Sequence, residues 1–208
     1  MTIRSLTLAA VLIAGIASQP ALAQDDSTPT TSSNGTTFRG IRVEGNIGAD
    51  RFRSEGTHND EFGYGGTIGF DGTFGERIVI GAEGSYWRAN NWNENCQGLP
   101  DDNSICHKAF EEWGAAVRAG YLVTPQLLVF AKGGYVNSEQ RRRIDDPDGA
   151  QLVYDHYRAD GYQLGGGAEY TITQGRMPIY VNAQYVYSNY HGHTARQRLM
   201  GGVGIRFK

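Results

Sequence analysis

Residues 161–170 read Gly-Tyr-Gln-Leu-Gly-Gly-Gly-Ala-Glu-Tyr and alternate between two kinds of side chain. In an extended strand, Tyr162, Leu164 and Tyr170 fall on one face, whereas Gln163 and Glu169 fall on the other. Alternation with a period of two predicts a β-strand that has one apolar and one polar face. The apolar positions do not recur at the helical spacing of about 3.6 residues, so the stretch does not predict a helix.

The same alternation recurs in eight segments between residues 38 and 208. The linkers that join these segments alternate in length. Three are short (72–77, 122–126 and 171–177), and four are mostly longer and more polar (51–60, 88–109, 137–157 and 189–195). Short turns at one end and long loops at the other are typical of hairpins in an outer membrane barrel. The sequence therefore predicts an all-β fold, an eight-stranded antiparallel up-and-down transmembrane β-barrel.

Aromatic residues lie at both ends of the predicted apolar faces. Near the short turns they are Phe70, Tyr121, Tyr170 and Phe207, and toward the long loops they are Tyr64, Tyr86, Trp113, Tyr135, Tyr162 and Tyr187. Aliphatic residues, Ala and Gly lie between these two sets. Two aromatic belts around an aliphatic band are typical of a barrel whose apolar face contacts lipid. The alternative is a soluble lipocalin-like barrel, in which the apolar face would point inward.

The first residues predict export. A short basic start is followed by an apolar stretch and by the small-x-small sequence Ala21-Leu22-Ala23. This pattern predicts a signal peptide at residues 1–23. Residues 24–37 are polar and rich in Ser and Thr, which predicts a flexible periplasmic leader. The barrel itself is predicted for residues 38–208.

Composition excludes several classes of protein. The 208 residues carry 19 basic and 22 acidic side chains, a net charge of −3, and this slightly acidic balance argues against nucleic acid as a partner. After residue 23 no apolar run approaches the roughly 20 residues that a transmembrane helix needs. Two cysteines cannot form a disulfide scaffold or a four-cysteine zinc site.

The polar faces of the strands predict a charged barrel interior. An eight-stranded barrel is narrow enough for side chains to fill it. Five positive and five negative side chains should balance there, as buried ions persist only when they are paired. The ten predicted residues are Arg42, Glu44, Asp71, Glu83, Glu112, Arg118, Lys132, Glu169, Arg198 and Arg206. They form either a structural plug of ion pairs or a narrow ion path, and Lys132 is expected to pair with Glu83.

The loops carry three further candidates. Cys96 and Cys106 lie in one long loop, and an oxidising compartment predicts a disulfide between them, with a zinc site including His107 as the alternative. Histidines occur in all four long loops and could converge at one rim to bind a metal: His58, His107, His156, His191 and His193. The run 141–143 is three arginines, which predicts a solvated loop tip or a contact with lipopolysaccharide phosphates.

The chain resembles the small eight-stranded outer membrane barrels, the group that includes the membrane domain of outer membrane protein A and porin-family outer membrane β-barrel proteins. Three runs carry the resemblance: 161–170, Tyr-Val-Tyr-Ser-Asn-Tyr at 185–190, and Leu-Met-Gly-Gly-Val-Gly-Ile-Arg-Phe at 199–207. The resemblance implies recognition of the last strand by the barrel-assembly machinery, through Leu199, Val203, Ile205 and Phe207. It also implies residence in the outer membrane of a Gram-negative bacterium, in contact with its lipids and lipopolysaccharide.

The leading functional hypothesis is a structural or surface protein that contributes to envelope integrity, or to interaction with extracellular ligands through four external loops, without a wide pore. The second is a narrow channel for ions or small solutes. The third is a lipid A-modifying enzyme, since some small barrels carry His and Ser on the rim. Ser188, His191 and His193 do not match the His-x-Ser-Asn order of the deacylases, so no catalytic residue, cofactor or metal is predicted.

Overall fold

The structure is a computed structural model that describes residues 38–90, 92–99, 102–191 and 194–207. The predicted signal peptide and leader lie outside the described residues. No helix in this part of the chain is long and apolar enough to cross a membrane.

The described residues form nine β-strands. Their bounds are β1 (Gly40–Ser54), β2 (Thr57–Phe74), β3 (Ile78–Ala89), β4 (Glu94–Gly98), β5 (Ser104–Leu122), β6 (Leu127–Asp145), β7 (Gln151–Thr171), β8 (Ile179–Tyr190) and β9 (Thr194–Phe207).

Eight of these strands close into a barrel, as predicted. Consecutive strands pair antiparallel, β9 pairs with β1, and β3 pairs with β5, which completes the ring. The short strand β4 is the ninth and was not predicted. It pairs with the outer part of β5, from Glu94 opposite Lys108 to Gly98 opposite Ser104. It therefore extends the sheet above the ring without adding a strand to the barrel.

The predicted long loops are mostly β-hairpins, and this corrects the sequence analysis. β1 and β2 run through the predicted loop 51–60 and meet at the two-residue turn Glu55–Gly56. Both turn residues have positive φ, 48° and 83°, as a type I′ hairpin requires. β6 and β7 likewise continue through most of 137–157. Outside the membrane both faces of a strand meet water or polar neighbours, so these extensions lack the alternation that reveals a strand.

The apolar faces point out of the barrel. In β1, Ile41, Val43 and Ile47 are 51%, 47% and 58% exposed, whereas the alternate residues Arg42, Glu44 and Asn46 are buried. The aromatic residues at the ends of the band are also mostly exposed, for example Phe70 and Tyr162. An outward aliphatic band between aromatic belts is the surface of a transmembrane barrel, so the soluble lipocalin-like alternative is wrong.

The hairpins rise to different heights at the end with the long connections. β8 ends at Tyr190 and β9 begins at Thr194, whereas the β6–β7 hairpin continues beyond that level to Asp145 and Gln151. The extended parts of β4, β5, β6 and β7 form one tall sheet on one side of the rim. In bacterial outer membrane barrels the end with long connections faces the cell exterior.

Candidate functional site in the barrel lumen

All ten charged residues of the predicted lumen set are buried, and none exceeds 8% exposure. They project from the polar faces of seven strands, because alternate side chains of a strand point to the same side of the sheet. The structure arranges them in three connected groups along the barrel axis.

The first group lies near the short turns and centres on two carboxylates. Asp71 contacts three guanidinium groups: Arg118 donates from Nε at 2.8 Å, Arg206 at 3.0 Å, and the Nε of Arg42 lies 3.3 Å away. Glu169 contacts Arg118 at 3.2 Å and Arg206 at 2.6 Å. Each carboxylate therefore bridges arginines from different strands, which ties opposite walls of the barrel together.

The second group lies at mid-height and shares Arg42 with the first. Arg42 donates to both Glu44 and Glu83, and the Nζ of Lys132 donates to Glu83 at 2.7 Å. The hydroxyl of Tyr180 donates to Glu44 at 2.9 Å. Lys132 thus lies against the carboxylate that the sequence suggested, but Glu83 has a second cationic partner in Arg42.

The third group lies toward the long hairpins. Arg198 contacts Glu112 at 2.6 Å, and Tyr190 donates to the same carboxylate. Beside it, Arg196 donates from Nε to both oxygens of Asp50 at 2.9 Å. The indole N–H of Trp87 also donates to Asp50 at 2.9 Å.

Asp50 and Arg196 are each 0% exposed, and neither residue was among the ten predicted for the lumen. Both lie at the ends of the segments taken as strands. The alternation of the strands would have predicted both residues. Asp50 lies on the same polar face as Arg42, Glu44 and Asn46, and Arg196 precedes Arg198 by two positions. Adding the pair to the ten predicted residues gives six positive and six negative side chains.

An apolar cluster closes the lumen at the end of the short turns. Phe38, Val79, Leu122 and Leu128 pack together there, and each is at most 5% exposed. The guanidinium of Arg206 lies 5.1 Å from the centre of the Phe38 ring. Leu128 interrupts the polar face of its strand because it belongs to this apolar layer, which separates the first group of charges from the periplasmic side.

A cavity of about 10 Å³ lies among polar residues of the upper lumen, among them Gln163, Gln184 and Lys132. This is room for about one water molecule. The arrangement ties the barrel walls together, because its ion pairs join residues of different strands.

Cys96 of β4 and Cys106 of β5 form the predicted disulfide and lie opposite each other in register. Among the described residues, the one grouping of three potential metal ligands is this disulfide with Glu94, and bonded sulfurs do not bind a metal as thiolates. The zinc alternative that includes His107 therefore has no support.

The four described histidines do not converge on one site; His193 lies outside the described residues. His107 is 4% exposed on the inner side of the tall sheet, and burial lowers the pKa of its imidazole. On the exposed face, His156 lies 2.9 Å from Glu139, and the ring of His191 contacts the backbone oxygen of Asp160 at 2.9 Å. Among the described residues no group of three potential metal ligands includes a histidine, so the hypothesis of a metal-binding histidine rim gains no support from these four.

The three arginines of 141–143 lie in β6 rather than at a loop tip. Arg141 contacts Glu94 at 2.6 Å, Arg143 contacts Asp145 at 2.8 Å, and Arg142 lies 3.9 Å from Asp155. The contacts of Arg141 and Arg142 join β6 to other strands of the tall sheet, and all three arginine side chains remain partly exposed.

Ser188 is 0% exposed and lies inside the barrel, where it accepts a hydrogen bond from Arg198 at 3.0 Å. It does not face lipid beside His191, so the structure does not assemble the Ser–His pair that a lipid A-modifying enzyme would need on the rim.

A family model and two solved structures agree with this architecture. The family model for the outer membrane protein beta-barrel domain matches residues 7–207. The crystal structure of Ail, the attachment invasion locus protein of Yersinia pestis, is 12% identical, covers 81% of this chain and 99% of its own, and has a TM-score of 0.53. A second Ail structure, in complex with the heparin analogue sucrose octasulfate, gives 11% identity and the same coverage and TM-score. Neisserial surface protein A is 13% identical over 80% of this chain and 97% of its own, with a TM-score of 0.48. No curated protein sequence gives a significant match.

Proposed function

The chain belongs to the outer membrane protein beta-barrel domain family, and we propose that it is a sealed barrel that supports envelope integrity and presents its external hairpins to surface partners. It is an integral protein of a Gram-negative outer membrane. The lumen carries the argument for a sealed barrel, because six acidic and six basic buried side chains cross-link its walls and leave a cavity of about 10 Å³.

Electrical recording tests the sealed state. The refolded protein, shown to be folded by its altered gel migration before boiling, is added to a planar lipid bilayer. We expect no stable current steps beyond those of a detergent blank. Stable steps from the folded wild-type protein would overturn the sealed barrel and favour the narrow channel. A change in the mass of lipid A after incubation would favour the enzyme instead.

Lipopolysaccharide is the proposed partner at the membrane surface. Arg88 lies 3.9 Å from the ring centre of Trp92 and 5.7 Å from that of Tyr64, one of the aromatic belt residues. Arg88 follows the belt residue Tyr86 by two positions on the same face of the strand, so it lies immediately above the aromatic belt. Cations at that level meet the phosphates of the outer leaflet. Retention of lipopolysaccharide through detergent purification, reduced in Arg88→Gln, tests this contact.

Biogenesis supplies two further proposals. Residues 1–23 are removed on export, so mass spectrometry of the mature protein should find Gln24, the start of the leader at 24–37, as the first residue.

The lipid-facing residues of β9 serve as the signal for the barrel-assembly machinery; they are Leu199, Val203, Ile205 and Phe207. Phe207→Ala should lower the amount of folded protein in the outer membrane and leave refolding in vitro nearly unchanged.

A further inference from the structure

Two opposite charges lie side by side on the outer surface, just above the aromatic belt. Arg88 of β3 and Glu111 of β5 are opposite each other in register, directly beyond the pair Tyr86 and Trp113. Opposite residues of antiparallel strands have Cα atoms about 4.5–5.5 Å apart, which is close enough for an ion pair. Nevertheless, neither side chain forms an ion pair within 4.0 Å with any residue that the structure describes.

The carboxylate of Glu111 is held by neutral aromatic donors instead. The hydroxyl of Tyr86 donates to one of its oxygens at 3.2 Å, and the indole N–H of Trp113 donates to the other at 3.4 Å. The centres of these two rings lie 4.7 Å apart. Both donors are uncharged, so the carboxylate keeps its negative charge. An ammonium group is favoured at such a place, because it is attracted both by the carboxylate and by the aromatic faces.

The guanidinium of Arg88 lies against other aromatic rings. It is 3.9 Å from the ring centre of Trp92 and 5.7 Å from that of Tyr64. Its Nε is shielded from solvent and has no hydrogen-bond partner in the described part of the chain. A guanidinium that packs its face on a ring keeps the N–H groups at its edge for acceptors. Arg88 is therefore placed to bind a phosphate group.

Two irregularities of the backbone keep the charges apart. The register between β5 and β6 shifts between Ala109 and Glu112, so Phe110 and Glu111 lie outside the ladder. Bulges of this kind re-aim side chains and are common next to functional sites. The ring of Phe110 packs 5.2 Å from that of Trp92, whose φ of 55° is strained for a bulky residue. Such strain persists where the surrounding structure fixes the residue, and it clusters at ligand sites.

We propose that Arg88 and Glu111 form a binding site for a phosphoethanolamine group, with the phosphate on Arg88 and the ammonium on Glu111. Two carbon atoms join the phosphate to the amine in this group, so one headgroup reaches both side chains. The site lies at the level of lipid headgroups, because Tyr64 and Tyr86 belong to the aromatic belt. The inference rests on the lipopolysaccharide contact proposed for Arg88, and it adds that an amine decides which headgroup is retained.

The test is a lipid titration of the full chain in detergent micelles, followed by native mass spectrometry. Phosphatidylethanolamine and phosphatidylglycerol with identical acyl chains share the phosphate and differ in the amine. We expect the wild type to bind phosphatidylethanolamine at least about threefold more tightly, a modest ratio because the ion pairs of the site are exposed. Lipopolysaccharide with and without phosphoethanolamine is compared in the same way, and a preference on one carrier alone identifies that carrier as the source.

Variants separate the amine from the phosphate, and gel migration before boiling shows that each is folded. Glu111→Gln should abolish the preference for phosphatidylethanolamine and leave the binding of phosphatidylglycerol undiminished. Arg88→Gln should weaken the binding of both lipids. The control is Glu139→Gln, since Glu139 lies higher on the same outer face and contacts His156. It should leave both affinities unchanged.

Two results would overturn the inference: equal binding of the two phospholipids by the wild type, or a preference that survives in Glu111→Gln. These results leave the proposed lipopolysaccharide contact intact if Arg88→Gln still reduces the retention of lipopolysaccharide. Retention that is unchanged in Arg88→Gln would instead refute that contact, and with it the phosphate half of the site.

Discussion

Breaking the buried pair of Asp50 and Arg196 should cost more stability than breaking any exposed pair of the barrel. Both side chains are 0% exposed, and Arg196 contacts no carboxylate other than Asp50 within 4.0 Å in the described residues. Arg196→Met leaves the Asp50 carboxylate with the indole N–H of Trp87, its other donor. Removing one partner of a buried ion pair costs about 3–5 kcal/mol, because the remaining charge stays desolvated.

The matched control is Arg51→Met on the same strand as Asp50. Arg51 contacts Asp60 at 2.6 Å with side chains 46% and 54% exposed, so water replaces the lost partner. Exposed pairs of this kind contribute roughly 0–1 kcal/mol. Free energies of unfolding from urea titration in lipid vesicles give both values under the same conditions.

A double-mutant cycle completes the test. Asp50→Asn with Arg196→Met removes both charges, and the double variant should be more stable than either single variant. If the two single losses simply add, or if Arg51→Met costs as much as Arg196→Met, then burial does not set the strength of the pair and the reasoning about the lumen fails.

Three further outcomes are expected. Ile80→Arg should lower the free energy of unfolding in vesicles by about 2–4 kcal/mol, because Ile80 faces the bilayer. Leu152→Arg is the control: Leu152 is similarly exposed, at 57% against 54%, but lies outside the membrane, so its substitution should be nearly neutral by urea titration. Phe38→Ala should lower the free energy of unfolding by about 3–5 kcal/mol, because Phe38 is 0% exposed in the apolar cluster that closes the lumen. Phe74 is 72% exposed, and an equal loss in Phe74→Ala would refute that role of Phe38. The lowered pKa of His107 means that the folded protein binds fewer protons than the unfolded chain, so stability is fully present above a pH of about 6.5 and falls as the pH drops below it. His107→Gln should flatten this pH dependence in hydrogen exchange of β4 and β5, and an unchanged slope would show that another group titrates.

The sequence by itself determined the barrel within the membrane. Within the membrane, alternate residues of a strand face lipid, which requires apolar side chains, and the lumen, which accepts polar ones. The resulting alternation at 161–170 therefore predicts a strand from the sequence alone. The same constraint placed Arg118 and Glu169 on the polar faces and Tyr162 on the apolar face. Ionic residues on a face that cannot meet water must pair, which is why a balanced set of charges was predictable without knowing the partners.

Only the tertiary structure decided the partners and the external architecture. Which carboxylate meets which guanidinium depends on the stagger between strands far apart in sequence, as with Asp50 and Arg196, separated by 146 positions. Above the membrane the alternation of apolar and polar residues disappears, because water accepts side chains on the outer face and the buried inner face also carries polar residues such as Asn95 and His107. The strand β4 and the outer part of β7 therefore have no signature in the sequence. Their pairing, and the edge that β7 leaves open beyond Tyr190, follows from the unequal heights of the hairpins.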